Sequence, residues 1–484
     1  MRTAHPVSHV SSAKASYMPC PGLLETQSGR SHKNVRSFDD IRRTVLILLM
    51  AGYFVLSYPF MQLRIPPTGF GVPFGELALA CVLVTFNLPR LLSRMGTIVF
   101  LPPLLLWWGW GFARLAVDAA REGAWAFRDG TQLIESLFLI VGFGVVANAD
   151  DLSQISRWMR RIVAVACLYG LLFVFQWDLI AISPTLPGGS DQPIPVIGTF
   201  ATTGTVLLLG AFMCMAEPPR TRRGRFFLTL VGGFLVSYAV LVIQMRTTYV
   251  QLLCLTGLLL LVRPRALGRL ASTVPLFCIL LALISAFNLR ISGRLSSEIG
   301  WAFIFDHLQA VFGIGTKGSI GEAASGVSLR FGWWLRLYDQ LTSDMATLVS
   351  GLGFGVALTD FRDTLGVLAR EPHNSLVSVI ARLGLVGGIC WIWIQVDLFL
   401  VAYRAYRGAR ALGWQNEAQF VLLVMAFAVL TLASCLGEDV MEKPYNAIPY
   451  YALWGVVLRV AYLVKSSSIT VGARSPGLGF AAGT

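Results

Sequence analysis

The sequence predicts an all-α, polytopic membrane protein of about 12 transmembrane helices with one long helical periplasmic loop. Three observations predict it. Of 484 residues, 55% are hydrophobic and only 13% charged, where a soluble domain carries roughly a quarter charged. Mean hydropathy is +0.66. The apolar residues gather in separate runs that approach the roughly 20 residues one bilayer crossing needs, with no strand-like alternation.

The first 43 residues are polar, carry Arg2, Lys14, Arg30, Lys33, Arg36, Arg42 and Arg43, and hold no apolar core ahead of a small-residue cleavage site. Residues 1–43 therefore read as a cytoplasmic tail and not as a signal peptide. Nine apolar runs occupy residues 44–288, at 44–62, 75–89, 96–115, 131–148, 162–182, 199–216, 226–244, 248–262 and 272–288. Three more, at 374–400, 419–436 and 447–464, occupy residues 374–464, and a Gly/Ser/Ala-rich segment 465–484 ends the chain as a second cytoplasmic tail.

If the first run passes outward, the five inner loops carry 15 Lys and Arg residues. The short outer loops hold only Arg64, Arg121, Arg128, Arg246 and Lys443. The positive-inside rule then puts both termini in the cytoplasm. The net charge of +13 would suggest nucleic acid in a soluble protein; here it belongs to membrane-flanking loops, and no nucleic acid partner is expected. Residues 289–373 form one long outer segment, and long loops in compact proteins are usually functional. Its stretches 301–312 and 330–338 read as amphipathic helices with Trp and Arg at the interface, beside the head groups of membrane lipid.

Seven of the eight cysteines, Cys81, Cys167, Cys214, Cys254, Cys278, Cys390 and Cys435, fall in apolar runs, and Cys20 lies in the polar tail. With no CxxC and no Cys/His ligand spacing they read as small buried hydrophobes, and no metal site is expected. Of five histidines, His5, His9 and His32 sit in the tail. His307 reads as an interfacial side chain. His373 stands where the long loop meets the tenth run, at the outer surface, and imidazole titrates near neutral pH; it either acts in chemistry or, with Asn374, caps a helix. Arg246 is the only charge between the seventh and eighth runs, an interfacial anchor or a functional cation. Arg330 stands on an amphipathic stretch as a solvated cation or an anion ligand. Glu135, Asp178, Arg382 and Asp397 are ionisable residues inside runs; a proton-coupled transporter needs carboxylates or histidines deep in the bundle, the part Glu135 and Asp178 could play. No Walker A, paired acidic cluster, HExxH or GxSxG is found, which argues against a nucleotide-dependent cytoplasmic enzyme.

Glu371-Pro372-His373-Asn374-Ser375-Leu376, running on through Ala381-Arg382-Leu383-Gly384-Leu385-Val386-Gly387, resembles the His-Asn motif and following Gly-x-x-Gly helix of the O-antigen ligase and polymerase superfamily. Arg330 with Trp333 and Trp334, then Gly351-Leu352-Gly353-Phe354-Gly355, is similar to that family's arginine and aromatic segment ending in a Gly-x-Gly turn. Arg246-Thr247-Thr248 resembles its Ser-Arg-Thr-like element, with Met245 in place of the small residue, and Gly198-Thr199-Phe200 a short outer-loop element whose following Asn residues are absent. The resemblance spans roughly residues 44 to 464.

It implies a metal-independent glycosyltransferase of the bacterial inner (cytoplasmic) membrane. Such an enzyme moves or polymerises a glycan from an undecaprenyl diphosphate carrier onto an acceptor hydroxyl, a growing glycan or lipid A-core, with no cofactor and with polysaccharide assembly proteins as further partners. His373 would be catalytic, as base or as phosphate contact, and Arg246, Arg330, Asn374 and Trp334 would bind substrate. The alternative from another class is a transporter or flippase for a lipid-linked or small solute.

Overall fold

A computed structural model describes residues 31–66, 71–185, 194–216, 221–287, 299–312, 314, 318–362 and 368–473. The chain divides into two units, Met1–Ile41 and Arg42–Thr484. The first is described only as the opening turns of the helix Ser31–Ala51; the second holds the apolar core and every helix after that one.

The described residues are almost entirely helical; the only sheet among them pairs Arg64–Ile65 with Val72–Pro73. Six described helices are long and apolar enough to cross a membrane: Ala149–Ala181, Arg222–Ile243, Pro264–Ala286, Ser375–Ala411, Gln415–Cys435 and Pro444–Ser467. A seventh span arises if Phe74–Val84 and Leu88–Met95, bent by 91°, are counted as one. These mark a multi-pass membrane protein. Thr131–Val145, Phe200–Ala216 and Thr247–Val262 are apolar but shorter, so several of the twelve apolar runs do not become helices of full crossing length. The run 75–89 shows why: Asn87 caps a new helix through its side chain, followed by Pro89, whose missing N–H suits a first turn.

The described part of the long outer segment holds the helices Trp301–Val311, Gly318–Leu341 and Met345–Ser350, followed by turns and bends over 351–362 and 368–373. His307, expected at an interface, is instead fully buried: its Nδ1 meets the Tyr249 hydroxyl at 3.1 Å and its ring stacks on Phe303. All seven described cysteines are free thiols, with Cys167, Cys390 and Cys435 buried, Cys81 exposed and the rest between. Cys20 lies outside the described residues, as do His5 and His9.

The core centres on the last helix, whose Trp454, Tyr450 and Tyr451 are among the largest fully buried side chains. It crosses the Phe138–Val145 helix in backbone contact. A Cβ on Gly142 would meet the Ala452 carbonyl at 1.8 Å, and one on Gly455 the Leu139 carbonyl at 2.1 Å. Small residues permit such approaches between membrane helices.

Ser375–Ala411 is two helices joined at Gly384, whose φ of 66° and ψ of −166° break the ladder. A break in lipid must find new partners for the freed carbonyls, and three are on hand. Leu352 N–H donates to Ala381 O at 2.7 Å, Gly353 N–H to Arg382 O at 3.1 Å, and the Trp110 indole to Leu383 O at 3.2 Å. The turn 351–355 is itself stapled to two carboxylates: Phe354 N–H donates to Asp118 and Gly355 N–H to Asp129. The buried Arg382 bridges Asp129 at 3.1 Å and Glu371 at 2.7 Å, and Arg370 adds a 3.0 Å pair to Asp129.

Gly384→Ala should therefore be strongly destabilising. Its Cβ would lie 2.1 Å from Val349 O on a left-handed backbone, at a cost of at least about 2 kcal/mol. Thermal unfolding in detergent should show a lower melting temperature for this variant and little change for Gly257→Ala, whose added Cβ meets nothing.

Candidate functional site

Asn374 is the N-cap of Ser375–Ala411: its side-chain oxygen accepts from Leu376 N–H and Val377 N–H at 3.1 Å each. Its amide nitrogen donates to Leu436 O at 3.3 Å. Ser375 donates to Glu442 Oε2 at 2.6 Å and accepts from Met441 N–H at 3.1 Å. The cap and the first residue of its helix thus hold both ends of the loop 436–443. His373, one residue earlier, has φ of 52°, a left-handed conformation uncommon outside glycine. Its ring faces that loop, with Nδ1 3.1 Å from Asp439 Oδ1 and 3.8 Å from Glu438 Oε2.

The long outer segment supplies the opposite wall. Arg330 donates to Gly437 O at 2.7 Å and pairs with Glu438 at 3.6 Å. Trp333 is buried with its ring centroid 6.0 Å from His373. Trp334 donates its indole N–H to Pro372 O at 2.9 Å and so holds the backbone just ahead of His373. Arg246 comes from a third direction, at the start of Thr247–Val262, and donates to Ala310 O at 3.2 Å. Burial and the neighbouring Arg330 guanidinium lower its pKa, opposed by Glu438. His373, Arg330 and Arg246 therefore border one cluster around residues 437–439, while the polar groups of Asn374 and Trp334 are engaged with the backbone that shapes it.

The loop's own charges escape a reading of the sequence. Glu438, Asp439, Glu442 and Lys443 fall within six residues between two apolar runs, and that density is the available signal. Burial alone would raise the Asp439 pKa, but the Lys443 ammonium at 3.0 Å and the hydrogen bond from His373 hold it below the usual carboxylate range. Lys443 is half-buried, and Tyr445, Asp439 and Glu438 keep it charged, its pKa raised above the usual value. An ionised Asp439 can only accept. The His373 Nδ1 then carries the hydrogen, and in the neutral ring Nε2 is the acceptor.

His373, Glu438 and Asp439 each offer a ligand atom, all within 4.8 Å of one another, a grouping that linear spacing does not reveal. Both carboxylates are already matched by Arg330 and Lys443. With Arg246, Arg330 and Lys443 around it, the site favours an anion over a further cation.

Neither a family model nor a curated protein matches this chain. The chemistry of the site rests on its own residues.

Deeper in, burial and the nearby Glu371 and Asp439 raise the Glu442 pKa to about 8, and its Oε1 has no hydrogen-bond partner among the described residues. The folded state holds this proton more tightly than the unfolded one. The resulting stabilisation is complete below the ordinary glutamate range and is lost as pH rises through the folded value. Wild-type melting temperature should fall between about pH 5 and pH 9, and Glu442→Gln should flatten that dependence; thermal unfolding in detergent across this range measures both.

Proposed function

We propose that the protein is a glycosyltransferase that takes its glycan from a lipid diphosphate, undecaprenyl diphosphate, and passes it to an acceptor hydroxyl at the outer face of the bacterial inner membrane. In this reading the chain crosses twelve times with both termini inside, the helices Ser31–Ala51 and Leu101–Glu122 and the three shorter apolar ones joining the seven spans above. One observation carries it: an imidazole oriented by an ionised carboxylate, beside Arg330 on the same short loop and Arg246 near enough to feel the charges of Arg330 and Glu438.

Such an arrangement suits displacement at a sugar-phosphate carbon. The acceptor oxygen bonds to the anomeric carbon, its proton passes to His373 Nε2, and the bond to the diphosphate oxygen breaks with its electron pair leaving on the lipid diphosphate. Asp439 stabilises the imidazolium that forms. Negative charge grows on the leaving diphosphate, and Arg246 and Arg330, whose planar forks match phosphate oxygens, stabilise it more in the transition state than in the ground state. Glu438 balances the charge of Arg330, and at longer range that of Arg246, while no anion is bound.

The test is purified protein with a lipid-linked donor and acceptor. His373→Ala should lose at least about a hundredfold in product formation, and Arg246→Lys and Arg330→Lys at least about tenfold, because a point ammonium cannot replace the fork. Wild-type activity should persist in EDTA; its abolition would assign a metal to the His373, Glu438 and Asp439 grouping. Donor left intact by wild-type protein, with movement across the bilayer, would make the protein a transporter instead.

A further inference from the structure

The helix Gly318–Leu341, which carries Arg330, presents three sectors. Trp333, Leu337 and Leu341 are buried against the protein. Arg336, Asp339 and Gln340 are exposed and polar. Between the two, at spacings of four and three residues, Phe331, Leu335 and Tyr338 are 56%, 55% and 63% exposed. At roughly 100° per residue these three fall on one stripe, about 10 Å long.

The same spacing puts Arg330 and Trp334 on the line between the buried sector and the stripe. The Arg330 guanidinium reaches inward to Gly437 O and Glu438. Trp334 is half-buried, with its indole N–H fixed on Pro372 O and its ring centroid 5.8 Å from that of Phe331. Guanidinium, indole and exposed apolar side chains therefore follow one another around a single helix without a break. Contiguous exposed apolar surface marks a place where something binds, and the cation at its edge narrows the choice to an amphiphile with an anionic head and an apolar tail. The other outer helix, Trp301–Val311, also exposes apolar side chains, Phe305 at 64% among them. Arg246 touches that helix elsewhere, at the carbonyl of the fully buried Ala310, which stands on a different side from Phe305.

We propose that the stripe of Phe331, Leu335 and Tyr338 is the track for the donor's lipid tail: the diphosphate sits at Arg246 and Arg330, and the first part of the polyprenyl chain passes over Trp334 and lies along the helix. The proposal rests on the transferase reading and adds the surface that distinguishes a lipid-linked diphosphate from a free one.

The experiment titrates full-length protein in phosphatidylcholine nanodiscs with undecaprenyl diphosphate and with inorganic diphosphate, which shares the head and lacks the tail. Phe331→Ser combined with Leu335→Ser should weaken undecaprenyl diphosphate binding at least about tenfold, through loss of apolar contact with the chain, and leave inorganic diphosphate unchanged. Arg330→Ala should weaken both, and Phe305→Ser neither. Undecaprenyl diphosphate with a diazirine on the tail beside its head should label residues 331–338 of wild type; unlabelled undecaprenyl diphosphate should suppress that labelling and phosphatidylglycerol should not. Should the double variant not fold, Tyr338→Ser and the labelling carry the same comparison.

Track variants that bind undecaprenyl diphosphate normally overturn the proposal, as does wild type that binds it no better than inorganic diphosphate. Labelling suppressed equally by phosphatidylglycerol overturns it too and makes the stripe a surface for bulk lipid. A loss in Phe305→Ser without one in the track variants assigns the tail to Trp301–Val311 instead. Donor turnover by the same preparations separates the two readings. Turnover with an indifferent stripe leaves the transferase standing and the track fallen; a tail-specific loss in protein that turns over no donor does the reverse.

Discussion

The rest of the structure depends on one buried cation. Arg382 has a side chain 3% exposed, lies two residues before the break in its own helix, and is held by Asp129 and Glu371. A guanidinium in such surroundings is tolerated only when paired and hydrogen-bonded, and here its head also donates to the carbonyls of Gly353 and Val356. It therefore fastens the glycine turn, the short helix that ends at Asp129 and the segment just before His373 to one point. Remove the charge and Glu371 loses its cation while Asp129 keeps only Arg370; remove either carboxylate and the charge loses part of its compensation.

That fastening is what allows the outer site to be built from strained or exposed pieces. The left-handed His373, the capping Asn374 and the indole of Trp334 on Pro372 are each modest interactions. They have a fixed reference because Glu371, two residues before His373, cannot move without breaking its bond to Arg382. The loop 436–443 is pinned in turn by Asn374 and Ser375. The imidazole and the carboxylates that face it thus belong to one rigid assembly, while Arg246 and Arg330 approach from separate elements.

Much of this is legible in the letters. Helical class and membrane character follow from apolar composition, because a chain so poor in charge has no other way to solvate itself. His373 stands out because it lies where the long loop meets an apolar run, Arg246 because it is the only charge between two runs, and Arg330 because it stands on an amphipathic stretch. What is not legible is anything that depends on which loops meet. Glu438 and Asp439 look like ordinary loop acids until His373 is placed against them, and Arg382 looks like a stray intramembrane charge until Asp129, more than two hundred residues earlier, is placed beside it. Trp333 and Trp334 are equivalent by composition; helix rotation alone decides that the first faces the imidazole and the second the backbone. The length of each crossing is hidden as well, since an apolar run does not report a bend such as that at Asn87.

The stapling of the glycine turn also bears on assembly order. Asp118 is made with its own partner four residues before it, Arg114 at 2.9 Å, so its helix enters the bilayer already charge-compensated. Asp129 has no such local companion: its partners are Arg370 and Arg382 and the amide of Gly355. Contacts of such long sequence separation form only once residues 370–382 are made, so the glycine turn and the short helix before it are joined to the His373 segment late, by pairing across the chain and not by local structure.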